Sequence, residues 1–295
     1  MAIFVLLMIV FLSMVNQSDI QKVEMLEKEL KEKAQEATKL AAERDSSREQ
    51  AQELMQQIAQ LDHTIKTKGL QLVVAVDTTG SMEKPLGHLK ETIHTIAKVL
   101  PNIAPDFSIG IVAYRQGKNE QRTTQEFPFK KIFPSEKDGG QSLKDLSDFM
   151  KSLKPEDGLA PVEIAVDKSL KMLSGHYPGV QAFMLLGDVG PYEDSLEAPG
   201  LFFEGSALEI EMEDRIISKL KRWAQGSERR KVLSVFSGTE PEKTGDDYND
   251  EQYSAKYKRS RSYFGRIAAE TGNSENFTEN PARMLVYLLN AIVIK

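Results

Sequence analysis

The sequence contains no cysteine and has no excess of positive charge. Its 295 residues include 38 Lys and Arg against 44 Asp and Glu, which gives a formal net charge of −6. Without cysteine, disulfide bonds and thiolate metal sites are excluded. An acidic chain without a cluster of basic and aromatic residues lacks the usual footprint of nucleic-acid binding. We therefore expect no nucleic-acid partner.

Motifs of the common catalytic sites are also absent. The chain has neither the G-x-S-x-G motif of serine hydrolases nor the G-x-x-x-x-G-K-[ST] motif that cradles nucleotide phosphates. The four histidines are scattered and do not show zinc-ligand spacing. Since no paired nucleophile and base is evident, we expect a protein that is not an enzyme.

The N-terminus is apolar, and residues 2–15 carry no charged side chain. As a helix they would span roughly 21 Å, which is less than the ~30 Å hydrocarbon core of a bilayer. A cleaved signal peptide is disfavoured because no basic segment precedes the apolar run and no small-x-small cleavage site follows it. A core helix is disfavoured because a long charged segment follows directly. We predict a membrane anchor over residues 1–17, with the rest of the chain on the periplasmic or extracytoplasmic side; the alternative, which the lysines after the anchor favour by the positive-inside rule, is a cytoplasmic stalk.

Residues 18–67 contain no Gly or Pro and follow a heptad pattern. The a and d positions are apolar except at Lys33, Arg44 and Ser47. A heptad pattern sustained over about six repeats indicates a coiled coil, and Leu at d with some β-branched residues at a favours two parallel strands. The alternative is a single solvated helix stabilised by i,i+4 pairs. We predict a dimeric stalk roughly 70 Å long.

From residue 68 onward short apolar runs alternate with amphipathic segments, which predicts one α/β domain over residues 68–295. Near-continuous apolar strands indicate a mostly parallel sheet between helix layers. The predicted strands are 70–76, 107–114, 126–133, 180–187 and 231–237, of which 126–133 is expected to be an antiparallel edge strand. The predicted helices are 84–100, 142–153, 161–174, 208–225, 254–271 and 281–293. The acidic segment 238–253 is expected to be a surface loop.

Oxygen-bearing side chains follow two of the predicted strands. Asp77 ends the first strand and is followed by Thr79 and Ser81, and Asp188 ends the strand 180–187. In open α/β sheets ligands bind at the carboxyl ends of strands. Carboxylate and hydroxyl oxygens suit Mg²⁺, with Mn²⁺ or Ca²⁺ as alternatives. The other interpretation is that these residues only cap the following helix.

The segment Asp77-Thr78-Thr79-Gly80-Ser81 resembles the D-x-[ST]-x-S motif of the von Willebrand factor type A family, whose metal-ion-dependent adhesion site carries it. The resemblance extends more loosely over residues 69–295 and includes Asp188. It implies a Rossmann-like sheet of about six strands, one of them antiparallel, flanked by helices. It also implies divalent-metal-dependent binding of a protein partner, often through a carboxylate that the partner donates to the ion.

One loop departs from the family pattern. The resemblance implies a threonine or aspartate in the loop around residues 155–163, and this chain has no threonine there. Asp157 is the preferred candidate ligand, because Gly158 beside it allows close approach to an ion; the alternative is that Asp157 only begins a helix. Arg115 and Lys118 follow the second strand and are candidates for contacting an acidic partner, although a solvated loop is the simpler interpretation.

These observations predict a membrane-tethered dimer that binds another protein through a divalent metal site. The alternative is a stalk subunit of an ion-driven membrane motor, similar to the flagellar stator, with a multi-pass channel subunit as partner. Such subunits use an aspartate in the membrane helix, and residues 2–15 contain none. A start codon placed too late would account for that difference.

Overall fold

A computed structural model describes residues 68–104, 106–116, 122–156, 160–191, 207–240, 247–272 and 274–292, together with the isolated positions 31, 33 and 52. The predicted anchor (1–17) lies outside the described residues, and so does the predicted stalk (18–67) apart from those three positions. Within the described part of the chain, no helix combines the length and hydropathy needed to cross a membrane.

The described residues form a six-stranded sheet flanked by helices. The strands are β1 (Leu70–Asp77), β2 (Phe107–Gln116), β3 (Arg122–Lys131), β4 (Val180–Gly187), β5 (Arg230–Phe236) and β6 (Phe277–Thr278). The helices are α1 (Glu83–Ile103), α2 (Ser135–Asp138), α3 (Gln141–Ser152), α4 (Val162–Met172), α5 (Ala207–Gln225), α6 (Asp247–Thr271) and α7 (Met284–Ile292). Short 3₁₀ turns precede α1, β6 and α7.

The strand order is β3-β2-β1-β4-β5-β6, and all neighbours are parallel except the β2–β3 pair. The chain first builds outward from β1 through β2 to β3, and then returns to the other side of β1 with β4. The switch point of this topology therefore lies between β1 and β4. Ligands of open α/β sheets bind at the carboxyl ends of the strands at such a point.

Apolar strands bury both faces of the sheet, as the near-continuous hydrophobic runs predicted. One core cluster joins alternate residues of β1, among them Val73 and Ala75, to apolar residues of α4, α5 and α6. The intervening β1 residues, Leu72 and Val74, are also fully buried. Since successive strand residues face opposite sides, these two belong to the layer of α1, α3 and α7. The central strands are thus held in place from both sides.

Most predicted elements are confirmed, with shifted ends. The segment 126–133 is indeed part of the antiparallel edge strand, which begins earlier, at Arg122, and ends at Lys131. The apolar C-terminal segment is the short helix α7, whose side chains pack into the core. The expected loop over 238–253 is wrong from Asp247 onward, because α6 begins there. Acidic residues such as Asp250 and Glu251 occur in turns, but they also favour a helix N-terminus through the helix dipole.

Candidate metal centre

The sheet brings Asp77 and Asp188 to the same edge. Strands β1 and β4 are parallel neighbours in a register that pairs Val76 with Leu186. Asp77 is the last residue of β1, and Asp188 follows the last residue of β4 directly. Both carboxylates therefore lie at the switch point, where the sequence predicted them. The loop that follows β1 turns at once into the 3₁₀ turn Gly80–Met82 and then into α1.

The Asp77 carboxylate is fully buried and only partly satisfied. The Thr79 backbone N–H donates a 2.8 Å hydrogen bond to Asp77 Oδ1. Among the described residues, no donor reaches Asp77 Oδ2. Asp188 Oδ1 is likewise buried and has no hydrogen-bonding partner in the described part of the chain. Buried carboxylate oxygens without partners are costly, and so they point to a ligand that would satisfy them.

Two hydroxyls accompany these carboxylates. The hydroxyls of Thr79 and Ser81 lie 3.3 Å apart. Thr79 is buried, whereas Ser81 is exposed. The structure thus gathers four of the five predicted ligand residues, Asp77, Thr79, Ser81 and Asp188. Their role in binding a metal stays a prediction.

The electrostatics show that two negative charges are poorly tolerated at this edge. Burial, and after it the charge of Asp188, raise the pKa of Asp77 from 3.8 to about 8. The hydrogen bonds from Thr79 act in the opposite direction. The pKa of Asp188 is also raised, mainly by burial, while Ser81 and Lys256 oppose the rise. A divalent cation would remove this penalty by neutralising both carboxylates.

Close packing beneath the carboxylates fixes their position. The Tyr114 hydroxyl donates a 3.2 Å hydrogen bond to the Leu186 carbonyl and so links β2 to β4 beneath the site. Gly187 leaves the space for this arrangement. A Cβ at that position would lie 3.0 Å from the Tyr114 hydroxyl and 3.2 Å from the Asp77 Cβ. Residue 187 must therefore be small for Asp77 to occupy its present place.

The middle loop reaches the site along backbone hydrogen bonds. The Glu156 N–H donates to the Thr78 carbonyl at 3.1 Å, and Thr79 and Glu156 form a parallel bridge. Arg115 holds the same segment, with a 2.7 Å hydrogen bond to the Lys154 carbonyl and a 3.0 Å ion pair with Glu156. These contacts place Glu156, the residue before the candidate ligand Asp157, beside Thr79.

The remaining predicted site residues have different outcomes. Asp157 and Lys118 lie outside the described residues, so their proximity to the site stays a prediction. Arg115 is largely covered and engaged with the loop at Lys154 and Glu156. The contact of Arg115 with a partner stays a prediction, and no sequence pattern indicates its contacts with Lys154 and Glu156, because these residues are distant along the chain.

The donor set fits a hard divalent cation. Among the described residues, no group of three or more His, Cys, Asp or Glu side chains is arranged to hold a metal ion. The four candidate ligands at this edge of the sheet do not form such a group, because two of them, Thr79 and Ser81, offer hydroxyl oxygens. Carboxylate and hydroxyl oxygens suit Mg²⁺, which commonly takes one or two carboxylates and leaves other positions to water or to an outside ligand. The two carboxylate oxygens without partners supply the observation that favours an ion here.

A cleft of about 470 Å³ opens beside this edge of the sheet. Ser81 and Asp188 line it, so the candidate metal centre faces into it. The first turns of α1 form one wall, and the segments after β5 and β6 form the rest. The other lining residues are Lys84, Pro85, His88, Ser237, Gly238, Thr239, Glu279, Asn280, Pro281 and Ala282. No sequence pattern indicates this cleft, because its walls are distant along the chain.

Comparison with known proteins supports the fold. No model of a known protein family matches the chain, and no curated protein matches it. Solved structures do match. The pilus adhesin SpaC from Lactobacillus rhamnosus GG aligns with a TM-score of 0.50 and 12% identity over 75% of this chain and 30% of SpaC. The PilB minor pilin from Streptococcus sanguinis aligns with a TM-score of 0.50 and 13% identity over 76% of this chain and 60% of PilB.

A domain described as von Willebrand factor type A, from Catenulispora acidiphila, also aligns, with a TM-score of 0.41, 12% identity and coverage of 76% of this chain and 42% of that one. At these identities the two matches at 0.50 show a shared fold alone. This chain spans under two thirds of the length of SpaC and of PilB. The six-stranded sheet with one antiparallel edge strand is the type A-like architecture that the D-x-[ST]-x-S resemblance implied.

Proposed function

We propose that this chain binds another protein through a divalent cation, Mg²⁺ or alternatively Mn²⁺ or Ca²⁺, held by Asp77, Thr79, Ser81 and Asp188. The observation that carries the proposal is the pair of carboxylates that each leave one buried oxygen without a partner among the described residues. Asp157 is the proposed further ligand. When bound, the ion supplies a positive charge, and a carboxylate of the partner coordinates the ion.

The residues of the chain have distinct parts in this proposal. The Thr79 N–H orients the Asp77 carboxylate, so that its second oxygen remains available. The Thr79 and Ser81 hydroxyls add neutral oxygens, so they bring no further negative charge to the ion that an acidic ligand approaches. No general acid, base or nucleophile is needed, and we propose that the chain is a binding protein rather than an enzyme. The fold shared with a pilus adhesin and a minor pilin is consistent with that role.

Calorimetric titration of the purified chain with MgCl₂ tests the metal site. We expect binding that is lost in Asp77→Ala and in Asp188→Ala and kept in the control Asp167→Ala, whose exposed carboxylate pairs with Lys219 on the surface. Fluorescence of the single tryptophan, Trp223, would verify that each variant is folded. Undiminished Mg²⁺ binding in Asp77→Ala would refute the site.

Binding of a partner is tested by pull-down from membranes with Mg²⁺ or with EDTA. We expect capture of a protein only with Mg²⁺, and we expect Asp77→Ala to behave as the EDTA sample does. Asp157→Ala separates the two interpretations of the middle loop: unchanged Mg²⁺ affinity would remove Asp157 from the ligands. Equal capture with EDTA would contradict the metal-dependent mechanism.

The proposed tethering rests on residues outside the described part of the chain. We propose that residues 1–17 anchor the chain in the inner or cell membrane, with the type A-like domain outside the cytoplasm, and that residues 18–67 form a parallel dimer. Two copies would present two binding faces and so raise avidity. Deletion of residues 1–17 should release the chain from the membrane fraction, and sedimentation should give twice the monomer mass. The alternative function, as a stalk subunit of an ion-driven membrane motor, depends on residues 1–67 alone.

A further inference from the structure

We propose that the cleft beside the candidate metal centre selects a partner with two acidic side chains, one for the ion and a second for Lys84. The inference rests on the proposed function and names the ligand of that same site. The cleft supports this inference, because Ser81 and Asp188 lie at one end of it and Lys84 and His88 line the adjoining wall. A partner bound at the ion would therefore pass along these two side chains.

Lys84 and His88 are available to a ligand. Both are exposed, and within the described part of the chain neither side chain makes a hydrogen bond or an ion pair. The acidic residue on the opposite wall is engaged, since Glu279 accepts a 2.6 Å hydrogen bond from Arg261. With the two carboxylates of the metal centre neutralised by the ion, Lys84 is an uncompensated charge among the described residues that line the cleft.

The position of Lys84 in α1 is informative. It is the second residue of the helix, where the helix dipole disfavours a cation. An anion at this place would benefit from both the dipole and the ammonium group. The far wall would contribute less to binding an anion, because the Asn280 side chain already accepts the Ala282 N–H at 3.0 Å.

The spacing along the helix sets the spacing of the two acidic residues. Lys84 follows Ser81 by three residues, which is about 5 Å along a helix axis. In an extended peptide, side chains two residues apart point to the same side and lie about 7 Å apart. A second carboxylate two positions from the ion-binding one therefore comes within reach of the flexible Lys84 side chain. The structure assigns the ligand to the Glu-x-Glu or Asp-x-Asp class.

Two capped peptides test this inference on the full chain in Mg²⁺ buffer. The first is Gly-Ser-Glu-Gly-Glu-Ser-Gly, and the second has Gln in place of the second Glu. An exposed ion pair of this kind should strengthen binding of the first peptide about two- to fivefold over the second. Lys84→Gln should abolish that preference. The control Lys98→Gln, an exposed lysine farther along α1, should keep it.

The outcomes separate this inference from the proposed function. Binding of the single-Glu peptide in Mg²⁺ but not in EDTA, with no gain from the second Glu, would overturn the inference and leave the metal-dependent capture intact. A gain that survives in Lys84→Gln would also overturn it. Absence of Mg²⁺-dependent binding of either peptide would refute both. A gain lost in Lys84→Gln alone is the supporting result.

Discussion

The pair of carboxylates at Asp77 and Asp188 leads to a testable dependence of stability on pH. Burial raises the pKa of Asp77 to about 8 in the folded chain, against 3.8 for the free side chain. An acid whose pKa is raised by folding favours the folded state while it is protonated. Its contribution is present below pH 4 and is lost as the pH rises toward 8. The metal-free chain should therefore become less stable over this window.

The magnitude follows from linkage. Where the folded group binds a proton and the unfolded one does not, the free energy of unfolding falls by about 1.4 kcal/mol for each pH unit. Between pH 5.5 and pH 8 the expected loss is about 3 kcal/mol. Because Mg²⁺ binds the ionised carboxylates, its presence should reverse this loss in the free energy of unfolding. Binding of Mg²⁺ should also release a proton.

The assay is urea unfolding followed by fluorescence, at pH 5.5, 6.5 and 8, with EDTA or with Mg²⁺. The chain has one tryptophan, Trp223 in α5, so the signal reports on the α/β domain alone. Asp77→Asn removes the titrating group and should flatten the pH dependence in EDTA, and it should also abolish the stabilisation by Mg²⁺. Asp148→Asn, at an exposed carboxylate on α3, should leave both unchanged.

The dependence of the free energy of unfolding on pH is compared between the unsubstituted chain and Asp77→Asn. If the unsubstituted chain and Asp77→Asn lose stability equally between pH 5.5 and pH 8 in EDTA, Asp77 does not carry the buried charge. If Mg²⁺ leaves the slope of the unsubstituted chain unaltered, the ion does not bind these carboxylates. Either result would refute the reasoning from burial to metal binding.

Two further substitutions probe the supports of the site. Gly187→Ala should lower the free energy of unfolding by about 1 to 3 kcal/mol through crowding, whereas Gly175→Ala, with open space around its Cβ, should be nearly neutral in the same urea assay. Arg115→Gln should weaken Mg²⁺ binding in calorimetry by loosening the loop at Glu156, while Lys130→Gln, which removes a surface ion pair on β3, should not. Equal effects of the paired substitutions would contradict each assignment.

Much of the sheet could be predicted from the sequence, for a physical reason. Strands β1, β2, β4 and β5 are buried on both faces, so their apolar runs are nearly continuous and their ends are marked by polar residues. The antiparallel edge followed from the short connection between β2 and β3, which leaves no room for a crossover helix. Two elements were missed, α2 with four residues and β6 with two, because neither is long enough to show a period.

The site was predictable only where its residues follow strand ends. Asp77 and Asp188 mark where β1 and β4 stop, whereas the adjacency of these two strands is known only from the assembled sheet. Arg115 acts through a contact across 39 positions of the chain, to the Lys154 carbonyl, and no local pattern indicates such a pair. The space above Gly187 is likewise set by Tyr114 from another strand. Contacts of this kind become visible only when the strands are assembled.

The described part of the fold contains buried carboxylate oxygens without partners, which a metal-binding function would explain. Neighbouring polar groups are satisfied: Thr78 donates both its N–H and its hydroxyl to the Tyr114 carbonyl, and the Ser237 N–H donates to the Gly187 carbonyl. The two carboxylates, by contrast, each retain a buried oxygen without a partner among the described residues, as does the nearby Tyr263 hydroxyl. Folded proteins keep such violations of local rules mainly at functional sites. The same substitution, Asp77→Asn, should therefore remove the pH-dependent instability and the ion together, which a merely structural aspartate would not do.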